Sequence, residues 1–146
     1  MATTSIAAPS RLHGPAEVLS LEPSTPAELL AAVRSGLPFA ALEALAVQLD
    51  LPSVEIAVLL GIPARTFARR RKTDQLTPQE SDRLFRLART VAQAIEVLGA
   101  LVKARLWLLA PNRALGGEVP LQMLDTDIGA RQVEEVLLRL SYGVFS

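Results

Sequence analysis

Residues 51–71 read LPSVEIAVLLGIPARTFARRR, and this stretch decides the fold. Leu51-Pro52-Ser53 interrupts what precedes it, and Ser53 can cap a new helix from Val54 to Leu60. That helix is only about two turns long, too short to persist in water without packing. Ile56, Ala57 and Leu60 are its inward residues. Gly61 supplies a tight turn at little steric cost, and Ala57, four residues earlier, is small enough for a second helix to approach. Ile62 tucks under the turn. The next helix, about Ala64 to Lys72, points Phe67 inward and leaves Arg65, Thr66, Arg69, Arg70 and Lys72 outside. The pattern is that of a helix-turn-helix.

The charge distribution singles out the same place. The 146-residue chain has formal net charge zero. Residues 1–60 hold two Arg against six acids, and residues 91–146 hold five bases against six acids. Residues 61–90 hold seven Arg and one Lys against three acids. A neutral chain has gathered its positive charge into one block, as phosphate contacts require. Arg can grip a guanine edge or a phosphate, and Thr66 a base edge or a phosphate. The bland alternative is a solvated helix end, where cations favour the helix dipole. Arg70 stands where many such units carry an apolar residue, so either the second helix is shorter or the Arg70 stem lies along the core.

Working outward, residues 1–23 mix Ala, Ser, Thr and Pro and read as a flexible leader with a brief helical attempt near Ala16–Leu21. Thr25-Pro26-Ala27-Glu28 is a capping box that opens a helix ending near Gly36. Pro38 starts another, with Phe39, Leu42, Leu45 and Leu49 close to one face. A second capping box, Thr77 to Glu80, opens a helix expected to run from Pro78 to Leu109, more than about 40 Å. Leu84, Leu87, Val91, Ile95 and Leu98 are its stripe, and Gly99 marks either a close helix crossing or a break. Pro111-Asn112 ends it. Residues 111–126 are rich in turn formers, with a helical turn expected from Pro120 to Leu124. Thr126 or Asp127 then caps a last helix, whose stripe is Ile128, Val133, Val136, Leu137 and Leu140, with Gly143 as its stop. No strand alternation is visible. The chain reads all-α: a leader (1–23), a helical helix-turn-helix domain (24–77), and a long helix with a small C-terminal helical domain (78–146).

Several functions are excluded or unsupported. There is no Cys, which removes disulfides, thiolate metal sites and a Cys nucleophile. The one His, His13, lies in the leader, so neither a metal site nor a Ser-His-Asp arrangement is credible. Gly116-Gly117 lacks the Lys-Ser/Thr partner of a phosphate-binding loop. Glu134-Glu135 and Asp125/Asp127 read as solvated acids. The expectation is no enzyme, no cofactor and no metal. No apolar run reaches the roughly 18 residues of a membrane span. The N-terminus lacks a signal-peptide pattern, and the expected location is cytoplasmic. Trp107 near a helix end, and Tyr142, Val144 and Phe145 at the terminus, either dock a partner or fold back on their own core.

An ordered set of residues resembles a known family. Leu60-Gly61-Ile62, Arg65-Thr66, Arg69-Arg70, Leu76-Thr77, Glu80-Ser81, Arg83-Leu84 and Ala88-Arg89 form its first half. Trp107-Leu108, Pro111-Asn112, Ala114 to Gly117, Pro120-Leu121, Gly129-Ala130, Val133 and Tyr142-Gly143 form its second. The set resembles the Xre/MbcA/ParS antitoxins of RES-type toxin–antitoxin systems over roughly residues 40–146. Pro63 departs from the small capping residue common there. The resemblance implies an Xre-like domain that represses its own operon. It also implies a C-terminal domain that binds and inhibits a RES-domain toxin that degrades NAD. Implied partners are that toxin, operator DNA and a second copy of the chain, with no membrane. The implied DNA contacts are Ser53, Ala64, Arg65, Thr66, Arg69, Arg70 and Lys72. The implied toxin contacts are Trp107, Asn112, Leu115, Pro120, Tyr142, Gly143, Val144, Phe145 and Ser146. The competing reading is an interaction module, or a solitary regulator without a toxin partner.

Overall fold

A computed structural model describes residues 14–22 and 25–143. His13 and the terminal Val144, Phe145 and Ser146 lie outside the described residues. The helices are α1 (Pro15–Val18), α2 (Pro26–Ser35), α3 (Phe39–Leu49), α4 (Ser53–Leu59), α5 (Ala64–Thr73), α6 (Pro78–Leu98), α7 (Leu101–Leu108) and α8 (Asp127–Ser141). Two 3-10 turns, Arg113–Leu115 and Pro120–Asp125, lie between α7 and α8. Among the described residues the only extended pairing is an isolated bridge between Asn112 and Glu118. The chain is all-α.

Local chemistry sets most helix starts. Thr25 Oγ1 accepts from Glu28 N at 3.1 Å while Glu28 Oε1 accepts from Thr25 N at 2.9 Å. Thr77 and Glu80 repeat this at the head of α6. Each box pairs two amides that the helix itself leaves free. Thr126, not Asp127, caps α8, accepting from Gly129 N at 3.0 Å. Ser53 is not a cap. It is already the first residue of α4, and extended Pro52 holds the cap position with no side-chain bond. Pro63 does the same for α5. Proline's fixed φ supplies the entry geometry in both helices of the turn motif.

The expected long helix is broken. Gly99 ends α6 in the left-handed region (φ 87°), Ala100 is extended, and α7 starts afresh at Leu101. A Cβ built at Gly99 would meet nothing within 4 Å, so the residue serves a helix stop and not a close crossing. α6 alone is 21 residues, about 30 Å.

One contiguous core runs through the molecule. Phe39, Leu42, Leu45 and Leu49 of α3, Ile56 and Ala57 of α4, and Leu60 and Ile62 are buried. So are Leu84, Leu87, Val91 and Ile95 of α6 and Val133, Val136 and Leu137 of α8. The flexible-leader reading fails for residues 14–22. α1 packs on α6 and α3, and Val18 and Leu19 are 3% and 1% exposed. A single helical turn carries no period to read, yet two adjacent apolar residues there complete the core. Ile128 is 71% exposed instead of inward. Its five-residue interval to Val133 breaks the helical spacing; the buried position one turn before Val133 is Gly129. No single helix among the described residues is long and apolar enough to cross a membrane.

Candidate nucleic-acid interface and partner-binding surface

α5 is the basic helix, and aromatic, cation–π and ion-pair contacts hold it. Phe67 meets Phe39 of α3 edge-on, with ring centroids 5.3 Å apart. Arg71 lies over both rings, 4.9 Å from Phe67 and 5.8 Å from Phe39, which adds a cation–π contact outside the core. Arg70 Nε donates to Glu80 Oε1 at 2.8 Å and Nη2 to Oε2 at 3.1 Å. Arg83 of α6 donates to the Leu60 carbonyl at 3.0 Å and steadies the turn ahead of α5.

These contacts sort the candidate DNA residues. Ala64, Arg65, Ala68, Arg69 and Lys72 are all exposed, and their spacing puts them on one face. Thr66 is half-buried beside that face, and Ser53 is half-buried at the head of α4. Arg70, grouped with the exposed bases from sequence, points away from them into its fork with Glu80. The two side chains are only 18% and 12% exposed. Burial would push the Glu80 carboxyl up, but the bonds from Arg70 and Thr77 outweigh it and hold the group below its ordinary range. The same bond raises the Arg70 guanidinium.

The C-terminal candidates divide differently. Trp107 and Leu115 are half-buried against the core, and Pro120 is buried. Asn112 Oδ1 accepts from Ala114 N at 2.8 Å, and Asn112 N donates to the Glu118 carbonyl at 2.9 Å. Trp107 lies on α7, the other three shape the segment between α7 and α8, and none of the four is fully exposed. Gly143 is half-buried, while Tyr142 is 77% exposed.

Sequence reasoning missed the exposed aliphatic residues. Ile128 and Leu138 lie on the same outer stripe of α8 as Tyr142, between the polar Arg131 and Glu135. Val102 and Leu106 of α7, with Leu109 just past its end, form an outer row. A groove of about 580 Å³ opens between α4 and the segment after α7, with Leu59 and Leu121 in its lining and Glu55, Glu118 and Asp125 among its polar groups. The signal for the stripe was present: apolar residues at helical spacing on an otherwise polar face. Among the described residues, no cluster of acids or His is placed to hold a metal.

Two family models match the chain. One, described as the antitoxin Xre-like helix-turn-helix domain, covers residues 28–89. The other, described as the antitoxin Xre/MbcA/ParS C-terminal toxin-binding domain, covers residues 93–143. A protein named Antitoxin Xre from Yersinia enterocolitica is 33% identical over 120 residues, spanning 81% of this chain and 81% of that relative. The chain belongs to the Xre/MbcA/ParS antitoxin family. A Pseudomonas putida Antitoxin Xre is 48% identical over 83 residues, covering 56% of this chain and 52% of the relative. One from Photorhabdus laumondii is 34% identical over 94 residues, covering 63% and 64%. The exposed bases of α5 fall in the family's helix-turn-helix region, and the outer stripe of α8 falls in its toxin-binding region.

Proposed function

We propose that this chain neutralises a RES-domain toxin that degrades NAD, and represses its own operon through α5. The observation that carries the reading is the separation of two unlike surfaces. Arg65, Arg69 and Lys72 face outward from the helix-turn-helix, while Leu138 and Tyr142 face outward from α8 in the toxin-binding region. The first suits phosphates and guanine edges in a major groove. The second suits an apolar cleft on a protein. The resemblance to antitoxins of RES-type systems supports the choice of toxin. Two copies of the chain would bring two α5 helices to half-sites about 34 Å apart on a palindromic operator. Operator binding sets the working location as the cytoplasm. The chain acts by binding, and the chemistry belongs to the toxin.

The test uses two variants of the full chain. Arg69→Ala weakens binding to the chain's own upstream DNA and leaves toxin inhibition intact. Ending the chain at Ser141 weakens inhibition of the RES protein and leaves DNA binding intact. Loss of both activities in either folded variant refutes the division. Inhibition is read as NAD consumption by the toxin with each variant added.

A further inference from the structure

Arg70 sits on the side of α5 away from Arg65, Arg69 and Lys72, and its guanidinium makes a two-bond fork with Glu80. Glu80 has a second task. Its Oε1 also accepts from Thr77 N at 2.9 Å, closing the cap of α6. One carboxylate, 12% exposed, therefore ties the start of α6 to the C-terminal half of α5 across the loop of residues 74–77. α5 depends on such a tie. None of its residues is fully buried, and no side chain caps its first turn. Phe67 and Arg71 anchor one side of the helix to α3, with Arg71 also 3.9 Å from Glu43, and the Arg70–Glu80 fork anchors the adjoining side to α6. A two-bond fork between planar groups fixes direction as well as distance.

We propose that Arg70 and Glu80 are positioning residues for DNA reading: their fork sets the rotation of α5 so that Arg65, Arg69 and Lys72 face the duplex, and Arg70 does not itself touch DNA. This rests on the DNA-binding reading above.

The test turns on a sign. Glu80→Gln removes an acid from a nucleic-acid-binding block, which by simple electrostatics tightens DNA binding. Gln at this position still serves a capping box, so the start of α6 is kept. Loss of the charged fork instead lets α5 rotate and weakens binding by about tenfold, as coupled neighbours do. Binding of the full chain to its own upstream DNA is followed by fluorescence anisotropy across a salt series. Each variant is measured at a temperature where circular dichroism shows it folded. The expected result for Glu80→Gln is weaker binding with an unchanged salt slope. Arg69→Ala, by contrast, lowers the slope by about 0.9, one phosphate contact. Arg70→Lys keeps the charge and loses the fork, and is expected to behave like Glu80→Gln. Adding Glu80→Gln to Arg70→Met should cost nothing further. Equal or tighter binding by Glu80→Gln or Arg70→Lys overturns the proposal, as does a slope for Arg70→Met lowered like that of Arg69→Ala. If the unaltered chain binds no upstream DNA, the DNA reading itself fails and the proposal with it. If that chain binds and Glu80→Gln binds equally well, only the proposal fails.

Discussion

Gly129→Ala sets helix propensity against packing. Gly129 is the third residue of α8, and its amide donates to the Thr126 cap at 3.0 Å. Propensity alone says that Ala in place of a helical Gly stabilises by about 1 kcal/mol. The surroundings say otherwise. A Cβ built at Gly129 overlaps the Met123 carbonyl oxygen, lies 2.9 Å from the Met123 carbonyl carbon and 3.1 Å from Thr126 Oγ1. The first two atoms are backbone of the preceding 3-10 turn and cannot swing aside. α8 must move off that turn, which strains packing by roughly 1–3 kcal/mol. The shift also loosens the Thr126 cap, worth about 1 kcal/mol. With the propensity gain subtracted, the net loss is about 1–3 kcal/mol. At ~2–4 °C per kcal/mol for a chain of this size, the midpoint of unfolding falls by roughly 2–12 °C. Differential scanning calorimetry and urea titration of the full chain read this directly. Toxin inhibition should weaken more than DNA binding, because the clash is in the toxin-binding region. A midpoint equal to or above that of the unaltered chain would refute the close-approach argument.

The remaining predictions use the same kind of arithmetic. Leu19→Ala should cost about 2–5 kcal/mol in a urea titration, because Leu19 is a core residue despite lying before the first capping box. Removing residues 1–22 should therefore lower stability as well. Phe67→Leu keeps much of the buried volume but loses the edge-on contact with Phe39, about 0.5–1.5 kcal/mol, and should weaken DNA binding by loosening α5. Glu80 titrates below its ordinary range in the folded chain, so its stabilisation is present in full above about pH 5. It is lost as pH falls through the folded value. The stability of Glu80→Gln should consequently fall less steeply below about pH 5 than that of the unaltered chain, measured as urea midpoints.

Much of this was legible because it is local. Thr25 with Glu28, and Thr77 with Glu80, announce helix starts within four residues. Ala57, Gly61 and Ile62 announce the turn motif within six. What escaped the sequence depends on partners it does not name. Glu80 read as a cap, and nothing local said that its carboxylate also takes Arg70, ten positions earlier across a loop. Val18 and Leu19 form too short a segment for periodicity to register. Ile128 was placed inward by type alone, when its spacing to Val133 already argued against it. Gly99 allowed two readings until its empty surroundings and left-handed φ chose one. Among the toxin-contact candidates, Trp107, Asn112, Leu115 and Pro120 belong to a family pattern, but a residue that shapes a loop and one that meets a partner leave the same mark in a sequence. Their burial differs, from buried Pro120 through half-buried Trp107 and Leu115 to Tyr142 at 77% exposed.

α6 explains why the two family regions form one body. Glu80, Arg83, Arg86, Thr90 and Gln93 recur every three or four residues along it, and each grips a neighbour. Glu80 takes Arg70 of α5, and Arg83 takes the Leu60 carbonyl at the turn. Arg86 takes Asp127 at 3.3 Å, while Thr90 takes the Glu134 carboxylate at 3.1 Å and Gln93 the Glu134 carbonyl at 3.3 Å, all on α8. The early members hold the helix-turn-helix and the later ones hold the toxin-binding region. Beside this row, Leu84, Leu87, Val91 and Ile95 belong to a core that also contains Leu42 of α3 and Leu137 of α8. The two family models meet between residues 89 and 93, inside α6 and toward the later end of that row. Arg86 and Thr90 stand on either side of residue 89, yet both bond to α8. The junction between the models therefore divides the sequence at a place where the packing is continuous.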